Sequence, residues 1–155
     1  MGIDLKAFAT EYVKNLEQRA KQGWLLGRPV LEQDMQTLWA RQQLELLNRD
    51  GRLPTVAPLL VQGLQLGHGL RLVALEGEPV SELGPVVRSA FSDGLTLALG
   101  YANGEGLYLP VEHMLAEGGY EVESFWEYGW PAAVAEGAEG LVARAVPLLC
   151  AQGLA

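Results

Sequence analysis

A chain of 155 residues, 49% of them apolar, fits one domain with a single buried core rather than a disordered tail. Eleven basic residues against 19 acidic ones give a net charge of −8, a poor match to nucleic-acid phosphates or anionic membranes. No apolar run approaches the roughly 18 uncharged residues that cross a bilayer, and one cysteine (Cys150) with two histidines (His68, His113) excludes an intrachain disulfide and a Cys/His zinc cluster.

The amino-terminus has no charged region followed by an apolar stretch, and Lys6 argues against myristoylation after Met1-Gly2, so the default compartment is the cytoplasm. Residues 3–22 carry Leu5, Phe8, Tyr12, Val13 and Leu16 at helical spacing, which predicts an amphipathic helix ended by Gly23. A connector over 24–29 leads to a second predicted helix at about 32–48, with Leu31, Met35, Leu38, Trp39, Gln42 and Leu46 as its inner face. Residues 1–50 thus read as a helical amino-terminal segment. Its many uncharged glutamines suit either a neutral solvated surface or a face covered by a partner.

Beyond Pro54 and Pro58, residues 59–66 and 70–75 read as two strands joined by the tight turn Gly67-His68-Gly69, a β-hairpin. His68 is then an exposed turn residue at the wrong end of the hairpin for a site near Glu78. Glu76-Gly77-Glu78-Pro79 closes the second strand, and a short helix is expected over 79–91 with Pro79 at its first position. Pro79 favours extended backbone at Glu78, which leaves Glu78 at a strand end, where ligands collect in open α/β sheets. A third strand over 95–100 would follow as a right-handed parallel crossover, ending in the loop Tyr101-Ala102-Asn103-Gly104-Glu105-Gly106 on the same edge.

Residues 111–117 read as two helical turns, 120–127 as an edge strand or ordered loop, and 132–149 as a last helix disturbed by Pro147. The expected class is α/β (or α+β): one domain over 1–155 with a small mixed sheet in a core spanning 58–149. No Walker A sequence, dinucleotide glycine fingerprint, Gly-x-Ser-x-Gly elbow or His-Glu-x-x-His pair occurs. The pairs Glu76 with Glu78 and Glu121 with Glu123 could bind a cation, although acidic chains contain many such pairs by chance.

The order of Gly-Glu-Pro-Val-Ser-Glu-Leu-Gly (77–84), Gly-Tyr-Ala-Asn-Gly (100–104), Tyr-Leu-Pro (108–110) and Glu-Gly-Gly-Tyr-Glu (117–121), then an alanine-rich helix, resembles the C-terminal part of the neutral/alkaline non-lysosomal ceramidase family. The resemblance covers about residues 59–149. It implies a zinc amidase of N-acyl sphingoid bases, with Glu78 and Tyr120 matching metal ligands and Asn103 a substrate-binding position. In that family the two histidine ligands come from a longer amino-terminal region. His68 and His113 lie outside its histidine motifs, and Pro79 stands where many members have an aromatic. Secreted members of the family leave the compartment open.

Two expectations follow. The first is a C-terminal half of a ceramidase-like amidohydrolase, inactive alone and completed by an N-terminal companion chain. The second is a noncatalytic interaction module, homo-oligomeric through its amphipathic helices. A weaker third has His113 acting with Glu78 and Tyr120. Trp126 and Trp130 follow Tyr120 closely enough to flank the same edge, whereas Trp24 and Trp39 read as packing residues.

Overall fold

The computed structural model describes residues 2–4, 24–25, 28–29 and 35–154. Strand β1 (Gly2–Asp4) pairs antiparallel with β4 (Val56–Pro58), and β2 (Trp24–Leu25) with β3 (Arg28–Pro29). The helix expected from residue 3 is therefore a strand at its start, where the ladder to Val56–Pro58 supplies backbone partners. The rest of that expected helix, 5–22, lies outside the described residues.

The main sheet has three strands in the order β5 (Val61–Gly67), β6 (Leu70–Leu75), β8 (Leu95–Leu99). The hairpin is antiparallel and β8 runs parallel to β6, so the sheet is mixed and the fold is α+β, as the pattern of strands and helices predicts. Exposure along β6 alternates strictly. Val73 and Leu75 face a core that includes Leu83 and Val87 of helix α2 (Leu83–Arg88) and Val142 and Val146 of helix α5 (Ala138–Ala151). Arg71 is fully buried on that same face. Its guanidinium donates to the Asp93 carbonyl (2.9 Å) and Thr96 Oγ1 (3.2 Å) and lies 4.4 Å from the Phe91 ring centre. Those partners offset the cost of taking the charge out of water.

Several elements differ from expectation. Helix α1 (Met35–Asp50) presents Gln36, Trp39, Ala40 and Gln43 inward, while Met35, Leu38 and Gln42 face solvent. The expected inner face included Gln42 and not Gln43, yet Gln43 is the completely buried one, its amide donating to the Gly129 carbonyl (3.0 Å). Pro79 does not start a helix. Glu78–Pro79 forms β7, parallel to β9 (Tyr108–Leu109), and the helix begins four residues later. Pro85 sits in the first turn of α2, where its missing N–H costs nothing.

Residues 120–127 form no strand. Helix α4 (Tyr120–Glu123) and a 3₁₀ turn (Ser124–Trp126) follow the positive-φ glycines 118 and 119, and Val122 and Glu123 both donate to the Gly119 carbonyl. The two turns expected over 111–117 shrink to helix α3 (Met114–Glu117). The last helix starts at Ala138 rather than 132, because Ala132, Ala133 and Val134 are buried ahead of the left-handed Gly137. It runs through Pro147 to Ala151. The carbonyl this leaves without a partner, at Ala143, is on an exposed residue and can bond to water. Among the described residues no helix is long and apolar enough to cross a membrane.

Candidate functional site

Past the end of β6 the chain is stitched to the loop that follows β8. Gly77 N–H donates to the Gly104 carbonyl (2.9 Å), Tyr101 N–H to the Gly77 carbonyl (2.8 Å) and Glu78 N–H to the Leu107 carbonyl (2.8 Å). Gly77 has φ +82°, and a Cβ there would lie 2.3 Å from the Leu107 oxygen, so only glycine permits this approach. A Cβ on Gly100 would meet the Pro79 ring at 2.6 Å. The two glycines set β7 against the 100–109 segment and fix where Glu78 points.

The Glu78 carboxylate is half-buried and accepts two phenolic hydrogen bonds, from Tyr101 at 2.9 Å on Oε2 and from Tyr128 on Oε1. Burial, and then the bond to Glu78, push the Tyr128 hydroxyl far above the ordinary tyrosine range, so it stays a neutral donor. The bond to Glu78 likewise raises Tyr101. Tyr101 holds φ +55°. That backbone is costly for a bulky side chain and is the sort of strain that clusters at functional sites.

Tyr120 also lies on this patch, but its hydroxyl donates to Glu127 (3.0 Å), not to Glu78. That bond raises its pKa first, with smaller contributions from burial, Glu127 and Glu78. Its ring packs edge-to-face on Tyr108, with centres 5.9 Å apart. Burial, then Glu78 and Glu121, raise the Tyr108 hydroxyl. Glu78 and Tyr120, expected together from sequence, thus share one acidic, tyrosine-lined patch without a direct bond.

Asn103, the expected substrate-binding residue, lies in the loop after β8. Its amide donates to Gln62 Oε1 (2.7 Å), tying the loop back to β5. Glu76 and Glu78 do not act as a pair, because Glu76 accepts the Leu60 N–H (2.8 Å) and so extends the hairpin. Trp130 stands at the edge of the site, its indole N–H donating to the Gly106 carbonyl (2.6 Å). Trp126 packs instead with Trp39 and Leu53.

Sequence reasoning missed Tyr101 and Tyr128. Tyr101 lies inside Gly-Tyr-Ala-Asn-Gly (100–104), two residues before the expected substrate-binding Asn103. Tyr128 carries no local signal. It reaches Glu78 because the compact turns over 120–126 bring it back, and because helix α1 holds the two residues that follow it: Trp39 Nε1 donates to the Trp130 carbonyl (2.8 Å) and Gln43 to the Gly129 carbonyl.

His113 is not part of this cluster. Its ring nitrogens lie 3.0 Å from Glu82 Oε2 and 3.1 Å from Glu117 Oε1. Those bonds, Glu82's first, raise its pKa above the ordinary histidine value. A raised folded pKa gives stabilisation that is complete below the unfolded value of about 6.5 and is lost as pH rises through the folded value. His113→Gln is therefore expected to flatten the fall of the urea midpoint above about pH 6.5. An unchanged slope would assign that fall to other groups.

The donors around Glu78 are a carboxylate and phenols. Among the described residues no group of three or more His, Cys, Asp or Glu is placed to hold a metal ion. Zinc favours imidazole or thiolate in its ligand set, so these residues alone do not make a zinc site. No family model, no curated protein and no solved structure matches the chain.

Proposed function

We propose that this chain is the carboxy-terminal half of a ceramidase-like zinc-dependent amidohydrolase, acting in the cytoplasm and inactive alone. It would offer oxygen donors to a metal whose imidazole ligands come from a companion chain or segment. The observation that carries the reading is the Glu78 carboxylate, held at the end of the sheet between the hydroxyls of Tyr101 and Tyr128. When bound there, zinc would polarise an amide carbonyl and lower the pKa of a bound water. The contribution of this chain is positional: Gly77 and Gly100 aim the carboxylate, and the two neutral phenols fix both of its oxygens. Glu121 and Glu127 nearby add negative charge that favours a cation.

A second reading is favoured by the same hydrogen bonds. Both Glu78 oxygens are already satisfied, so the cluster holds together without a ligand and suits a noncatalytic interaction module. Reconstitution separates the two. The chain is mixed with the histidine-bearing amino-terminal region of a ceramidase-like protein, and hydrolysis of an N-acyl sphingosine is followed. Activity that appears only in the mixture and falls at least about 100-fold in Glu78→Ala supports the half-enzyme. Activity indifferent to Glu78, or no association with such a region, favours the module.

A further inference from the structure

Among the described residues, the second face of the main sheet presents exposed leucines from both of its outer strands, β5 and β8. In register across the three strands, Leu64 stands beside Leu72 and Leu72 beside Leu97, Gln62 beside Ala74 and Ala74 beside Leu99, and Leu70 beside Leu95. Leu60, Leu64, Leu66, Leu95, Leu97 and Leu99 are between 41% and 56% exposed. The opposite residues, Arg71, Val73 and Thr96, are buried. The covered face thus mixes Val73 with the paired Arg71 and Thr96, while the other presents leucines, unlike an antiparallel sheet whose outer face carries polar side chains.

We infer that this leucine face is a self-association surface, on which a second copy of the chain docks face to face about a two-fold axis. On this face the rows from Gln62–Ala74–Leu99 to Leu70–Leu95 contain no ionisable side chain, and Glu76 stands beside Leu60 only at the margin, so anions such as nucleic acid or lipid headgroups find no basic partner there. A flat sheet face is complemented by another sheet face packed about 10 Å away, and a two-fold axis sets the same patch against itself. The six leucines expose on the order of 500 Å² per copy, so two copies reach the roughly 1,000 Å² at which specific interfaces begin. The chain carries −8, but the contact does not, so added salt screens the repulsion between copies and strengthens the pair. This inference is independent of the metal reading, because it uses the face of the sheet and no donor of the Glu78 cluster.

The test is the mass of the full chain by sedimentation equilibrium at low and high salt. The expected species has twice the 16.8 kDa chain mass, tighter in high salt. Leu97→Glu and, separately, Leu64→Gln are expected to raise the dimer dissociation constant at least about 100-fold, with the far-ultraviolet spectrum unchanged. Leu64→Gln adds no charge and keeps the test usable if the glutamate variant misfolds. A monomer at high protein concentration overturns the inference, including one whose leucine face is shielded from apolar dyes by other residues of its own chain. So does a dimer that survives both substitutions, or one that weakens as salt is added.

Discussion

Trp39→Ala is expected to cost about 3–5 kcal/mol of folding stability, the range for removing a buried aromatic from a core. Trp39 is 3% exposed and anchors the smaller apolar cluster with Ala40 and Leu53. Its ring meets Phe125 edge-to-face at 5.7 Å. The loss has three parts: the transfer free energy of the indole, the cavity it leaves, and the Trp130 carbonyl left without its donor. The last part reaches the candidate site, because Gly129 and Trp130 directly follow Tyr128. Trp39→Phe keeps most of the packing and drops the hydrogen bond, so about 1–2 kcal/mol is expected. Urea unfolding measures both. A loss under about 1 kcal/mol for Trp39→Ala would mean that helix α1 does not hold the Tyr128 segment.

Gly77→Ala is expected to cost about 2–4 kcal/mol and to displace Glu78. The left-handed backbone alone costs an L-residue about 1–2 kcal/mol. The added Cβ, 2.3 Å from the Leu107 oxygen, forces apart two backbone segments rather than a yielding side chain. That oxygen accepts the Glu78 N–H, and the Gly77 carbonyl accepts the Tyr101 N–H, so relief of the clash strains both bonds. The tyrosine donor and the carboxylate should separate together. A variant within about 0.5 kcal/mol of wild type would show that the segment accommodates a side chain and does not fix Glu78.

The parts of the fold that were legible in the sequence rest on short-range rules. Leucines alternating through 64–66, 70–72 and 95–99, with glycine turns between, predict the hairpin and its parallel neighbour, which the register bears out. Extended backbone at Glu78 follows from Pro79, and it too is observed. The departures arise where tertiary partners override composition. Gln43 reads as surface until the Gly129 carbonyl meets its amide. The Ala-Ala-Val-Ala stretch at 132–135 is rich in helix-forming alanine, yet most of it is buried outside any helix. Tyr128 belongs to the site through a contact 50 residues away in sequence, which no local pattern encodes.

Zinc titration of the metal-free chain probes the proposal that Glu78 heads the oxygen-donor half of a zinc site. Tryptophan and tyrosine fluorescence, checked by equilibrium dialysis, reads the binding. With no imidazole in the ligand set, one site weaker than about 1 μM is expected, lost in Glu78→Ala and tightened when free imidazole is supplied. Zinc binding that is the same in wild type and Glu78→Ala, with or without imidazole, would contradict it.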